Sequence, residues 1–188
     1  MRAVTAIGIV CVFAAGMVAG RLASSTSAAG QARAAAPASP YATMLHVGIV
    51  VKDLEKAVEK WKAMGFSDIR VLPPNQGVDR MYHGKPIAVT IKQAFINGTS
   101  PLIELVEPVD DAPSPWRDFL LQHGEGLHHL AYRVPDSGPE LEKYKQLGLD
   151  EFAQGKWPEG NDHWGTFHYV QDPHGGTIME FISRIPRQ

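Results

Sequence analysis

Gly124-Glu125-Gly126-Leu127-His128-His129-Leu130-Ala131-Tyr132-Arg133-Val134 is the stretch that organises the chain. Two glycines break whatever precedes it, and Leu127 to Val134 then reads as a strand. Alternate side chains of a strand face opposite ways. The spacing therefore predicts that His128 and His129 point to opposite faces and that only one of them reaches a given pocket. A shorter version occurs earlier as Leu45-His46-Val47-Gly48-Ile49-Val50-Val51. His46 and His129 stand 83 positions apart. The same offset lays Trp61 on Tyr144, and Met64-Gly65-Phe66 on Leu147-Gly148-Leu149. The chain reads as one module written twice, with a histidine near the head of each copy.

Working outward, module one spans 44–108. After its first strand, Asp53 caps a helix whose apolar stripe is Leu54, Ala57, Val58, Trp61 and Met64, and Gly65 ends it. Phe66 to Leu72 is a short strand, Pro73 to Lys85 a loop, Pro86 to Ile96 a long strand, Asn97-Gly98 a turn, and Leu102 to Val106 the last strand. Ser114-Pro115 starts a connecting helix over Trp116–His123. Module two, 127–183, repeats the order: its head strand, a helix over Gly138–Leu147 stopped by Gly148, and strands over Leu149–Ala153, Trp164–Gln171 and Thr177–Ile182. Gly155–Asp162 is a loop and Asp172–Gly176 a tight turn. The fold class that follows is α+β, two tandem βαβββ modules.

The chain has 188 residues, 44% apolar and 20% charged, with a net charge of −2. That is a globular composition, and no basic stripe invites nucleic acid. Met1-Arg2 followed by the uncharged apolar run Ala3–Gly20 describes an export signal or, uncleaved, a membrane anchor. Cleavage points of small residues lie after Ala28 and Ala34, and residues up to Pro40 read as a flexible tether. Residues 1–40 are thus expected to direct the chain to the periplasm or outside, or to tether it through residues 3–20. Cys11 is the only cysteine, so no intrachain disulfide and no cysteine metal site can form.

Each module ends in a strand with an acid among apolar residues: Leu102-Ile103-Glu104-Leu105-Val106, and Thr177-Ile178-Met179-Glu180-Phe181-Ile182. Burying a carboxylate costs several kcal/mol unless something pairs with it. A divalent cation held with two imidazoles would satisfy both acids at once. The plainer reading makes Glu104 and Glu180 surface acids on edge strands. Glu107 before Pro108 reads as a solvated loop acid. His83, His123, His163 and His174 fall in loops or at element ends, and Arg80 and Lys85 read as exposed loop cations. His168, Trp164, Phe95 and Tyr132 either line a pocket or pack the core.

With its paired modules, its IELVEP stretch (103–108), Phe119-Leu120 and GEGLHHLAYRV, the chain from Met44 to Ile182 resembles the vicinal oxygen chelate superfamily. That superfamily includes glyoxalase, methylmalonyl-CoA epimerase, extradiol dioxygenases and bleomycin-resistance proteins. The resemblance implies a curved mixed sheet around a metal site. It places the ligands at His46, Glu104, His129 and Glu180, holding one divalent ion of nickel, cobalt, zinc, manganese or iron. The implied activity is a lyase or isomerase of the glyoxalase and epimerase type, acting on a small carbonyl compound by enolisation. Glu180 and Glu104 are its catalytic candidates. The strand Ala88–Gln93 carries no acid where epimerases of the family have a second base. The alternatives are an Fe(II) dioxygenase of the extradiol type and a non-catalytic small-molecule-binding protein of the resistance type. Dimers occur in the family.

Overall fold

The computed structural model describes residues 39–187. The expected export segment, and its tether up to residue 38, lie outside them. The described residues all belong to one compact unit. Among the described residues no helix is long and apolar enough to cross a membrane.

The elements are β1 (His46–Val50), α1 (Leu54–Ala63), β2 (Ile69–Asn75), β3 (Val78–Tyr82), β4 (Lys85–Pro86), β5 (Ile91–Ile96), β6 (Leu102–Pro108), α2 (Pro115–His123), β7 (Gly126–Arg133), α3 (Ser137–Gln146), β8 (Asp150–Glu159), β9 (His163–Gln171) and β10 (Ile178–Pro186). All ten strands join one sheet in the order β2-β5-β6-β1-β7-β10-β9-β8-β3-β4. Both halves repeat one pattern: the head strand lies beside and parallel to the last strand, with the other two antiparallel beyond it. The head strands β1 and β7 meet antiparallel at the centre. The α+β fold of two βαβββ modules is therefore what the chain adopts.

Module one adds something to this pattern. Only Gln76 and Gly77 separate β2, at one end of the sheet, from β3, which pairs with β8 at the other. A two-residue link spans at most about 10 Å, so the sheet must curl until its ends approach. Pro73 and Pro74, expected to open a loop, instead sit within β2. An edge strand tolerates proline because its outward N–H groups have no partner to lose. The expected loop Pro73–Lys85 is thus the end of β2 plus the hairpin β3–β4, and the strand expected from Pro86 begins at Ile91. β8 likewise runs through Gly155 to Glu159. Gly155 is not a loop residue but a point of close approach, where a Cβ would stand 2.5 Å from the Phe167 ring. The chain turns at Gly160, with φ 72°.

Alternation sorts the strands into two faces. Outward residues of β1, β5 and β6 pack under α1 with Leu54 and Val58, and those of β9 and β10 pack under α3. Inward residues Val50, Ile91, Val106, Ala131, Phe167, Tyr169 and Ile182 form the main core, capped by Trp116 of α2. Asp53 and Ser114 cap α1 and α2 as read from sequence, and Glu107 also accepts from Leu54 N at 2.7 Å, so it is not a solvated acid. Met64, expected in the buried stripe, lies at the C-terminal end of α1 and is exposed, as is Leu147 at the end of α3.

The packed structure begins before Met44. Tyr41 lies edge-on to Tyr132, at 5.5 Å between ring centres, and also packs against Phe181 and bonds to Glu140. Tyr41→Ala is expected to cost about 1–2 kcal/mol by lost burial and aromatic contact. Calorimetry should show the melting point lower by roughly 3–6 °C. An unchanged melt would place this arm outside the cooperative unit.

Candidate functional site

His46 and Glu104 come from neighbouring strands of module one, His129 and Glu180 from neighbouring strands of module two. The register is the same in both halves. His46 pairs with Leu102 and Gly48 with Glu104, as His129 pairs with Ile178 and Ala131 with Glu180. Across the central seam His46 faces Ala131, and His129 faces Gly48. A small residue thus stands opposite each imidazole, and all four polar side chains project inward to one point.

At that point His46 Nε2 and His129 Nε2 are 3.0 Å apart. Glu180 Oε2 lies 2.9 Å from the first and 3.3 Å from the second, and Glu104 Oε2 lies 3.4 and 3.3 Å from them. His46, His129 and Glu180 present ligand atoms that all fall within 4.8 Å of one another. All four residues are buried, none more than 5% exposed. Burial disfavours charge on His46, but the carboxylates of Glu104 and Glu180 outweigh it and raise its pKa to about 10. The same contest holds for both acids: burial pushes each up, the imidazoles pull it down further, and each ends below the usual carboxylate range.

The two carboxylates are not equivalent. Gln93 Nε2 donates to Glu104 Oε1 at 2.6 Å, fixing that side chain. Glu180 Oε2, though close to both imidazoles, makes no aligned hydrogen bond and has no solvent access. A buried carboxylate oxygen converging with two imidazole nitrogens, without an aligned hydrogen bond, is a donor set that suits a divalent cation. Gln93 is not among the candidates named from the sequence. Its signal was the alternation Ile91, Gln93, Phe95, which puts it on the inner face two residues from Phe95, itself 6.0 Å from His46.

His128 departs from expectation. In the β1–β7 ladder Gly48 pairs with His129 and the next residue, Ile49, pairs with Leu127, so His128 is the extra residue of a bulge. The bulge turns it toward the cluster rather than away. His128 Nδ1 lies 2.9 Å from His129 Nδ1, and its ring is buried against Phe119 and Tyr169. Burial, aided by the charge on His129, lowers the His128 pKa to about 3, so this ring is neutral. Tyr169, paired with Glu180 across β9 and β10, is buried beside His129 and accepts from Trp116 Nε1 at 3.3 Å.

Arg80 is not an exposed cation. It is 6% exposed, with its guanidinium 5.2 Å from the Trp116 ring, and donates to Val89 O at 3.0 Å and Asn75 Oδ1 at 2.8 Å. Lys85, His83, His123 and His174 are exposed and His163 is half-buried. His168 faces outward and bonds to Glu151 at 2.7 Å. Tyr132 packs with Tyr41, and Trp164 stacks under Arg187.

A cavity of about 990 Å³ opens between α2, the start of β8 and the β9–β10 turn, and both His128 and His129 belong to its wall. Phe119 and Phe152 give it apolar faces. Asp118, Asp150, Glu151 and Asp172 give it negative charge, and among the described residues no lysine or arginine lines it.

Comparison with known proteins agrees with this architecture. Residues 45–167 match the family described as the glyoxalase/bleomycin resistance protein/dioxygenase superfamily, and the chain belongs to it. The match ends before β10, so Glu180 lies beyond it. No curated protein matches the chain. Among solved structures it is similar to methylmalonyl-CoA epimerase from Mycobacterium tuberculosis, with 22% identity, 77% of this chain and 89% of that one covered, and a TM-score of 0.53. It is similar also to a methylmalonyl-CoA epimerase in complex with methylmalonyl-CoA and NH4+, with 22% identity, coverage of 75% and 93%, and a TM-score of 0.51. A mutant of 4-hydroxymandelate synthase from Streptomyces coelicolor shares 16% identity over 77% of this chain and 49% of its own, with a TM-score of 0.50. At such identities these likenesses speak for the fold.

Proposed function

We propose that the protein is a divalent-metal-dependent lyase or isomerase that moves a proton next to the carbonyl of a small substrate. The observation that carries this reading is the buried Glu180 Oε2, 2.9 and 3.3 Å from two imidazole nitrogens and without an aligned hydrogen bond. His46, His129, Glu104 and Glu180 would hold the cation, which when bound supplies Lewis acidity toward the carbonyl. Glu104 is pinned by Gln93 and acts as a fixed ligand. Glu180 is free of such a tether, so it is the group that takes the proton. The buried surroundings keep water from competing. The wall of the adjoining cavity, acidic and without lysine or arginine among the described residues, favours an uncharged or cationic substrate over a phosphate-rich thioester of coenzyme A.

Elemental analysis of the purified protein is expected to give about one divalent ion per chain, lost in a His46→Ala, His129→Ala double variant. Glu180→Gln is expected to keep much of its metal and to lose at least about 100-fold in exchange of the substrate's α-proton with deuterated water, the scale of general-base catalysis. Equal loss of both would leave Glu180 as ligand only. No metal under reconstituting conditions would sink the enzyme reading.

A second reading draws on the compact set His46, His129 and Glu180, the two-histidine, one-carboxylate pattern of Fe(II) oxygenases. It predicts oxygen consumption and a dispensable Glu104. For location we propose export or membrane tethering through residues 3–20, which cell fractionation of the full chain would test.

A further inference from the structure

We infer that His128 is a positioning residue, the buried acceptor that fixes the tautomer of His129 and so aims its Nε2 lone pair at the cation site. The inference rests on the metal reading above. A neutral imidazole carries one N–H. For His46 and His129 both to offer Nε2 to a cation, each must carry its proton on Nδ1. On the His129 side, the group facing that nitrogen is His128 Nδ1, at 2.9 Å. His128 must then accept there and carry its own proton on Nε2. That atom is buried without an aligned partner. His129 thus donates from Nδ1 to His128 and keeps its Nε2 lone pair free, 3.0 Å from Nε2 of His46.

This contact depends on the bulge. In a regular ladder His128 would face away, whereas the inserted residue places consecutive imidazoles in contact on one face. The ring cannot swing out, because Phe119 meets it edge-on at 5.1 Å and Tyr169 at 5.4 Å, and the residue is 4% exposed. Carboxylates or backbone carbonyls commonly perform this service for metal-bound histidines, fixing orientation and raising ligand basicity. Here an imidazole does it, which adds no charge to a cluster that already holds two acids.

The test compares Zn2+ affinity, by chelator competition, in wild type, His128→Leu and His128→Asn. Leucine fills the space without an acceptor, while the asparagine side-chain oxygen can stand where Nδ1 stood. His128→Leu is expected to bind Zn2+ about 10- to 100-fold more weakly, the usual effect of losing such a partner. His128→Asn should recover to within a few-fold of wild type. Proton–nitrogen correlation spectra of the Zn2+-loaded wild type should show His129 protonated on Nδ1 and His128 on Nε2, a readout that needs no variant to fold. Equal affinity in wild type and His128→Leu, equal loss in both variants, or the opposite tautomers would overturn the inference while leaving the metal site intact. Failure of the wild type to bind Zn2+ would overturn both.

Discussion

Gly48→Ala is expected to disable the site and lower the melting point together. A Cβ at this position would stand 1.9 Å from Cε1 of His129 and 2.3 Å from both of its ring nitrogens. No real side chain tolerates such contact, and the ring has no room to retreat, with His128 against one nitrogen and His46 against the other. Either β1 slides along β7 or His129 leaves the cluster. Overpacking of this kind costs about 1–3 kcal/mol, so the melt should fall by roughly 3–10 °C. Zn2+ binding should drop well beyond what that destabilisation explains. Ala131→Gly supplies the contrast: it removes a methyl opposite His46 and opens space rather than filling it. It should lower stability by about 1 kcal/mol and leave binding nearly intact. If Gly48→Ala bound Zn2+ like wild type, His129 would have a freedom that contact with His128 and His46 does not predict.

Arg80→Ala is expected to cost about 2–4 kcal/mol. The side chain lies over Trp116 and ties three segments of backbone. It starts on β3, reaches Asn75 at the end of β2, and meets Val89 ahead of β5. Its removal strips the Trp116 face and leaves a buried carbonyl without its donor. Arg80→Lys should recover only part of this, since an ammonium cannot reproduce the planar fork that reaches both acceptors. Urea unfolding of the three proteins should place the lysine variant between the others. A lysine variant as stable as wild type would show that charge, not the fork, is what the position requires.

The sequence made the duplication readable because a strand's period and a helix's stop are local properties. His46 and His129, and the acids Glu104 and Glu180, were found by their positions in the two copies. The structure brings all four together because both copies keep one register. What local pattern cannot disclose is pairing. The role of Pro73 and Pro74 depends on β2 lying at an edge, and that of Gly155 on Phe167 coming up against it from the next strand. His128 failed for the same reason. Strict alternation turns it away, and only the partner strand, by skipping one residue, turns it back. Arg80 looked like a loop cation because the hairpin that buries it forms against module two, beyond any local window.

The two-residue link between β2 and β3 has a consequence for how the chain comes together and how it can be divided. Asp79 and Lys156, 77 positions apart, meet across the β3–β8 seam. Contacts so distant in sequence close late and slow folding, because much of both halves must already be ordered. A seam formed late stabilises the native state more than the transition state, so weakening it should quicken unfolding more than it slows folding. A module-two fragment made alone would present β8 as a bare strand edge, open to pairing with another copy. Although the fold is one unit copied, the second copy is not self-sufficient: the first supplies the strand that protects it.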